Sequence, residues 1–276
     1  MKVVDISHER FLRLACFAGT LLVMAALEAA FPRRPRSRPR GERWPANLVM
    51  VLVGAALVRG ILPLVPVETA GLASQKGWGL LNHGGLPAVW TWGLSIVALD
   101  AVIYLQHVLT HAVPTLWRLH MVHHADLDLD TTTGVRFHPV EILLSAGLKT
   151  AAVAALGPPV GAVILFEILL NGTALFNHAN LKLPAAMDRA VRLVLVTPDM
   201  HRVHHSVIIR ETHSNFGFCL SWWDRLFGTY KDQPEKGHGH MTIGLSQFRD
   251  PRGLSLARLL VLPVTGDPGR QPINRH

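Results

Sequence analysis

Hydrophobic residues in this chain run in long unbroken stretches rather than in short alternations. Residues 11–31 carry no charge except Arg13 and Glu28, and about 20 apolar residues match the thickness of a bilayer core. A second stretch, 47–67, is interrupted by Arg59, Pro63 and Pro66, and a third covers 86–109. Residues 141–176 are apolar again but broken at Gly157-Pro158-Pro159, which predicts two helices of about 15 residues around a turn. Each half is short for a complete crossing, so a re-entrant hairpin and two tilted spans are both open. The pattern predicts an all-α fold: a polytopic membrane helical bundle of about four to five membrane helices with a cytoplasmic histidine-rich helical cap.

Charge orients this bundle. Six arginines crowd into 33–43, directly after the first apolar stretch, whereas 68–85 holds one lysine and no arginine. The positive-inside bias puts the arginine segment in the cytoplasm, makes 68–85 an outer loop, and returns the third stretch to the cytoplasmic side. The same arginines are the wrong flank for a cleaved signal peptide. With 49% hydrophobic and 17% charged residues, an integral membrane protein, here of a bacterial inner membrane, is the expectation. The net charge of +8 lacks the basic helix or aromatic platform that a nucleic-acid binder needs, so no nucleic-acid partner is expected. Cys16 and Cys219 are too few for a disulfide framework and are read as packing residues. Residues 181–192 look interfacial, the aromatic run 216–230 suits a membrane-facing or substrate-facing surface, and 246–276 reads as a mobile polar tail. The expected divisions are 1–94 for the N-terminal helices and arginine segment, 95–245 for the catalytic domain, and 246–276 for the tail.

Candidate chemistry is concentrated in 100–138, which holds six of the protein's 16 histidines. On a helix, positions i, i+3 and i+4 share a face, so His120, His123 and His124 present three imidazoles together. The same H-x-x-H-H spacing recurs in His201, His204 and His205, and His107 with His111 adds an i, i+4 pair. Neutral imidazole suits zinc, iron, copper and nickel. Eight imidazoles exceed the needs of a mononuclear catalytic site, so two metal ions are implied. His138 and His178 stand alone and are read either as further ligands or as hydrogen-bonded supports. His8, His83, His213, His238, His240 and His276 are expected to be exposed or locally bonded.

Asp100 lies inside the third apolar stretch, where an ionisable residue marks function or an interhelical pair. At 100° per residue it shares a helix face with Tyr104, His107 and His111, and Asp100 and Tyr104 are the candidate catalytic residues. Asp126, Asp128 and Asp130 lack the glycine and closing glutamate of a calcium loop, leaving imidazole orientation or loop solvation as their roles. Asp199 and Glu211 invite the same choice.

The texts YLQHVLTHAVPTLWRLHMVHHAD, DTTTGVRFHPVE, FNHAN, TPDMHRVHHS and ETHSNFGFCLSWWDRLFGTY, in that order, resemble the fatty acid hydroxylase superfamily, and within it the sterol-desaturase-like members. The resemblance covers about residues 95–245. It implies a helical membrane protein with a cytoplasm-facing dimetal centre, usually non-haem di-iron, that uses dioxygen as co-substrate and two electrons to hydroxylate or desaturate a lipid C–H bond. It implies His107, His111, His120, His123, His124, His201, His204 and His205 as ligands with His178 as a ninth, and leaves zinc possible in place of iron. A membrane lipid substrate and a separate electron donor (a ferredoxin, cytochrome or reductase) follow as expected partners. The alternatives are a zinc-dependent non-redox membrane lipid enzyme and a metal transporter; the latter would spread ionisable groups over several membrane depths.

Overall fold

A computed structural model describes residues 6–250, 255–270 and 273. Among these the regular elements are helical, and the extended pairings are three isolated bridges. Helices α1 (Ile6–Ala30), α2 (Arg40–Ile61), α3 (Pro66–Lys76), α4 (Leu80–His83) and α5 (Ala88–Ala112) are followed by α6 (Pro114–His124) and a 3-10 turn, Thr131–Val135. The hairpin α7 (Pro139–Leu156) and α8 (Val160–Asn177) comes next. Short helices complete the chain: α9 (Ala185–Val191), α10 (Pro198–His204), α11 (Ile209–Thr212), α12 (Trp222–Leu226), α13 (Gly237–His240) and α14 (Leu256–Thr265).

Five helical segments among the described residues are long and apolar enough to cross a membrane: His8–Ala30, Arg40–His83, Ala88–Ala112, Pro139–Leu156 and Val160–Asn177. In the bundle α1 lies on α8, α2 on α7, and α5 against both α7 and α8. The α7–α8 halves have 18 residues each, about 27 Å of helix and longer than the sequence predicts. Gly157 makes the turn between them in the left-handed region at φ 63, and a Cβ there would fall 2.3 Å from the Trp78 carbonyl oxygen.

Proline sets the entry to the histidine-bearing helices. Pro114 and Pro198 occupy the first turns of α6 and α10, where the missing N–H costs nothing. Val113, ahead of Pro114, is extended at φ −95, ψ 117, as a pre-proline residue prefers. The chain therefore leaves α5 just after His111 and folds α6 back against it.

Two expectations are corrected. Residues 68–85 are not an open loop: Pro66 starts α3, the Glu68 carboxylate accepts the Val65 N–H at 3.3 Å, and Val67, Ala70 and Ala73 are buried in a helix packed on α7 and α8. Nor is the whole of 246–276 a mobile tail. Leu259 and Leu262 of α14 enter a core with Met50, Trp117, Met121 and Val122, and the Trp117 indole donates to the Pro268 carbonyl at 2.9 Å. Residues 251–254, 271–272 and 274–276 of that tail, including His276, lie outside the described residues. A second core, among them Val67, Leu99, Ile103, Val153 and Phe166, fills the space between α3, α5, α7 and α8. Within a bilayer such a cluster is held by close packing rather than by escape from water.

Candidate metal centre

Nine histidines converge where α5, α6, the end of α8 and α10 meet. Among the described residues they form two groups, all buried. The first is His107, His111, His120, His124 and His204; the second is His123, His178, His201 and His205. Within each group the candidate ligand atoms lie within 4.8 Å of one another. Neither H-x-x-H-H motif serves one group alone. In α6 the i, i+4 pair His120 and His124 joins the first group while His123 points to the second; in α10 the pair His201 and His205 joins the second while His204 points to the first.

The hydrogen bonds fix which ring nitrogen is offered. A carbonyl oxygen can only accept, so each Nδ1 facing one must carry the proton. His107 Nδ1 donates to Phe216 O at 2.7 Å, His204 Nδ1 to Ser214 O at 2.8 Å, and His178 Nδ1 to Ala174 O at 2.7 Å. His120 Nδ1 donates to the Glu141 carboxylate at 2.6 Å. In a neutral imidazole the other nitrogen is then a bare lone pair. The Nε2 atoms of His107, His120 and His204 are buried and meet no protein donor, an arrangement that suits a metal ion.

In the second group His178 Nε2 lies 3.1 Å from His123 Nε2 and 3.1 Å from His201 Nε2. One lone pair cannot accept from both neighbours. Ligands about 2.1 Å from a shared ion would stand about 3.0–3.4 Å apart, so the spacing fits coordination. Burial, reinforced by neighbouring imidazoles, holds His123, His124, His201, His204 and His205 well below the usual histidine range, and burial brings His178 down to about 4. Burial thus favours in these six rings the neutral form that a ligand needs.

The remaining candidates stand elsewhere. His138 is outside both groups: it caps α7, its Nδ1 accepting the Val140 N–H at 3.2 Å, with its Nε2 3.1 Å from Leu260 O. Asp100 accepts the backbone N–H of Cys219 at 3.3 Å and of Leu220 at 3.1 Å, and the Trp223 indole N–H at 2.8 Å. The Tyr104 hydroxyl shares a 2.9 Å bond with Thr229, whose hydroxyl also donates to Asp224. Asp224 in turn accepts the N–H groups of Phe216 and Gly217. Asp100 and Asp224 thus cradle the 216–220 strip whose Phe216 carbonyl holds His107; both stand behind the ligands.

The three aspartates after α6 are neither solvated nor bonded to imidazoles. Arg43 bonds both carboxylate oxygens of Asp126 at 2.7 Å and also reaches Asp130, while Asp128 receives the N–H groups of Ser37 and Arg38. Burial alone would raise the Asp126 carboxyl, but the guanidiniums of Arg43 and Arg136 outweigh it and hold it well below the usual range. Asp199 bonds Arg33 at 2.9 Å and Arg202. The arginine segment is therefore fastened onto the metal-binding helices. His238 is buried, 3.7 Å from Asp199, and the His213 ring lies 6.0 Å from that of His111, so neither is a plain surface histidine.

Sequence reading missed Glu141 and Asp224. Glu141 could have been flagged as a carboxylate opening an otherwise apolar helix, a place where charge calls for a partner. Asp224 sits in an aromatic run with no periodic signal.

A cavity of about 350 Å³ lies against the first group, with His107, His120, Phe137 and Phe218 in its wall. It extends between α2, α5, α7 and α8, within the size range of ligand sites. The family model described as fatty acid hydroxylase matches residues 92–229, which contain all nine histidines, Glu141 and Asp224. This chain belongs to the fatty acid hydroxylase family. An ornithine lipid hydroxylase, OlsE, of Rhizobium tropici is 30% identical over 224 residues, 79% of this chain and 66% of its own length. Alkylglycerol monooxygenases are 31% identical over 163 residues in Xenopus tropicalis and 28% over 164 in Homo sapiens, each over 58% of this chain. The chain spans about a third of those two proteins, 34% and 35%. No solved structure matches.

Proposed function

We propose that this protein is a membrane-bound lipid hydroxylase with two metal ions, one in each histidine group, iron in preference to zinc. The observation that carries the reading is the cavity between apolar helices that ends on His107 and His120. There, buried Nε2 lone pairs are held in place by Glu141 and Phe216. When bound, the metals supply the reduction of dioxygen. One oxygen atom enters a lipid C–H bond to give an alcohol, and the other leaves as water with two electrons and two protons.

The protein's own residues do the rest. Glu141 and the Phe216, Ser214 and Ala174 carbonyls fix ring tautomers, and such partners also strengthen the ligands. Phe137 and Phe218, packed on His123 and His107, keep the histidine end of the cavity apolar, which favours a hydrocarbon segment and disfavours bulk water. A separate donor, a ferredoxin, cytochrome or reductase, supplies the electrons, and the centre faces the cytoplasm of a bacterial inner membrane, as the arginine segment beside it favours. The relatives act on lipids by their names, as an ornithine lipid hydroxylase and alkylglycerol monooxygenases, which supports hydroxylation over desaturation.

The test is metal analysis of protein purified without a metal-affinity tag, coupled to dioxygen uptake with reductant and membrane lipid. Two irons per chain and lipid-dependent uptake are expected. Two zinc ions and no uptake would sink the oxygenase reading and favour a non-redox lipid enzyme, since an imidazole-only donor set serves either metal.

A further inference from the structure

The cavity has two chemically different ends. At one stand His107, His120 and Glu141; at the other Arg13, Arg59, Lys149 and Glu167. The wall between them is mostly apolar, with Val51, Ala55, Ile103, Ile142 and Leu170 beside the polar Ser145 and Asn171. Lys149 lies eight residues beyond Glu141 on α7, about 12 Å along the axis. Arg59 lies 16 residues beyond Arg43 on α2, about 24 Å from the arginine–aspartate knot beside α6. The charged end is therefore displaced toward the face of the bundle opposite the metal centre.

Charge within a membrane span is expensive and marks function by default. Here four helices contribute it. Glu167 is shared by Arg13 at 2.6 Å and Lys149 at 3.1 Å, and Arg59 pairs with Glu68 at 3.0 Å. Arg13 is also bonded by Glu9 at 2.7 Å. Glu9 and Glu68 do not line the cavity, and Glu141 is engaged by His120. The three cations that line the cavity are thus each paired, but of their carboxylate partners only Glu167 lines the cavity with them. A tie serving only to join α1, α7 and α8 has no need to present its cations to an open space. Gln106, beside His107, lines the same cavity with its Oε1 buried and without a hydrogen-bond partner, a polar group at the histidine end of the space.

We propose that the Arg13–Arg59–Lys149 end is an anion subsite that takes the carboxylate or phosphate of a lipid whose chain runs along the apolar wall to His107 and His120. The inference rests on the lipid-hydroxylase reading and sharpens it: the carbon brought to the metals lies about 12 Å or more from the acidic group, remote from it along the chain. The cavity then acts as a ruler, with Lys149 and Arg59 as specificity-determining residues.

The test uses the full chain in detergent, without reductant, so that binding is read and turnover is not. Palmitate, hexadecyl phosphate and hexadecanol share one chain length, and their affinities are compared by titration calorimetry. One of the two anions is expected to bind about tenfold or more tightly than the alcohol, the effect of one charge-assisted hydrogen bond, and the preferred anion tells carboxylate from phosphate. Lys149→Met and Arg59→Gln are each expected to remove most of that preference and leave hexadecanol affinity unchanged, while Lys149→Arg keeps it. Equal binding of all three ligands by the wild type, or variants that weaken all three alike, would overturn the subsite. If Lys149→Met does not fold, Arg59→Gln, at a side chain 45% exposed, carries the same comparison. A failure of the oxygenase reading shows as absent dioxygen uptake and leaves this binding preference intact, so the two failures are distinguishable.

Discussion

The two histidine groups differ in what surrounds them. The first has five imidazoles, and His107 and His120 open onto the cavity. Three of the five are tethered from behind, by Phe216 O, Glu141 and Ser214 O. The second has four imidazoles, none in the cavity wall, with His178 tethered to Ala174 O and its Nε2 3.1 Å from two others. On the proposed reading the first group meets the lipid, and three of its rings are held in orientation from behind. The second is closed by protein and suits a supporting ion. The shared helices α6 and α10 couple them, because each gives a pair to one group and a single ring to the other.

Removing a ligand from either group is the harshest way to break this contrast. His204→Ala and His201→Ala are both expected to lower turnover by more than the roughly 10–100-fold that loss of a supporting partner brings. They differ in what remains: each should lose one metal ion per chain and keep the other, as metal mass analysis would read. Loss of both ions from either variant would mean that the groups are one inseparable cluster. A fully active variant would remove that histidine from the centre.

Removing a tether is a milder change that separates the groups further. Glu141→Gln keeps the shape of the side chain but removes the carboxylate that holds His120. Metal affinity of the first group is expected to fall roughly 10–100-fold with the second unchanged, as metal titration of the stripped protein would measure. An equal loss in both groups would assign Glu141 a general structural role.

Asp100 acts one step further back, through the 216–220 strip to His107. Asp100→Asn is therefore expected to lower kcat about tenfold, at the mild end of the supporting-partner range, with metal content retained. A complete loss of turnover with both metals bound would instead make Asp100 a catalytic group.

Much of the bundle was legible because apolar length and proline position are local signals. The spans and eight of the nine histidines were readable from spacing, whereas His178 stood alone and was named a ligand only through the family resemblance. The division of each H-x-x-H-H between two groups was not, since it depends on α6 and α10 approaching from opposite sides, which no local pattern encodes. Asp100 drew attention as a charge at membrane depth, but its partners, two backbone N–H groups and the Trp223 indole, lie about 120 residues away, and no local pattern links them to it. The arginines of 33–43 read as a topological signal, and their carboxylate partners turned them into fasteners for the metal-binding helices. α14 was passed over within a tail read as polar, although Leu256–Thr265 is an apolar run with Arg258 as its one charge and is too short to span a membrane.

The central claim is that two ions sit apart, one in each histidine group. Anomalous diffraction at the metal absorption edge, on crystals of protein carrying its native metal, tests it most directly. The expected result is two peaks, one among His107, His111, His120, His124 and His204 and the other among His123, His178, His201 and His205. A single peak, or peaks away from these rings, would contradict the account.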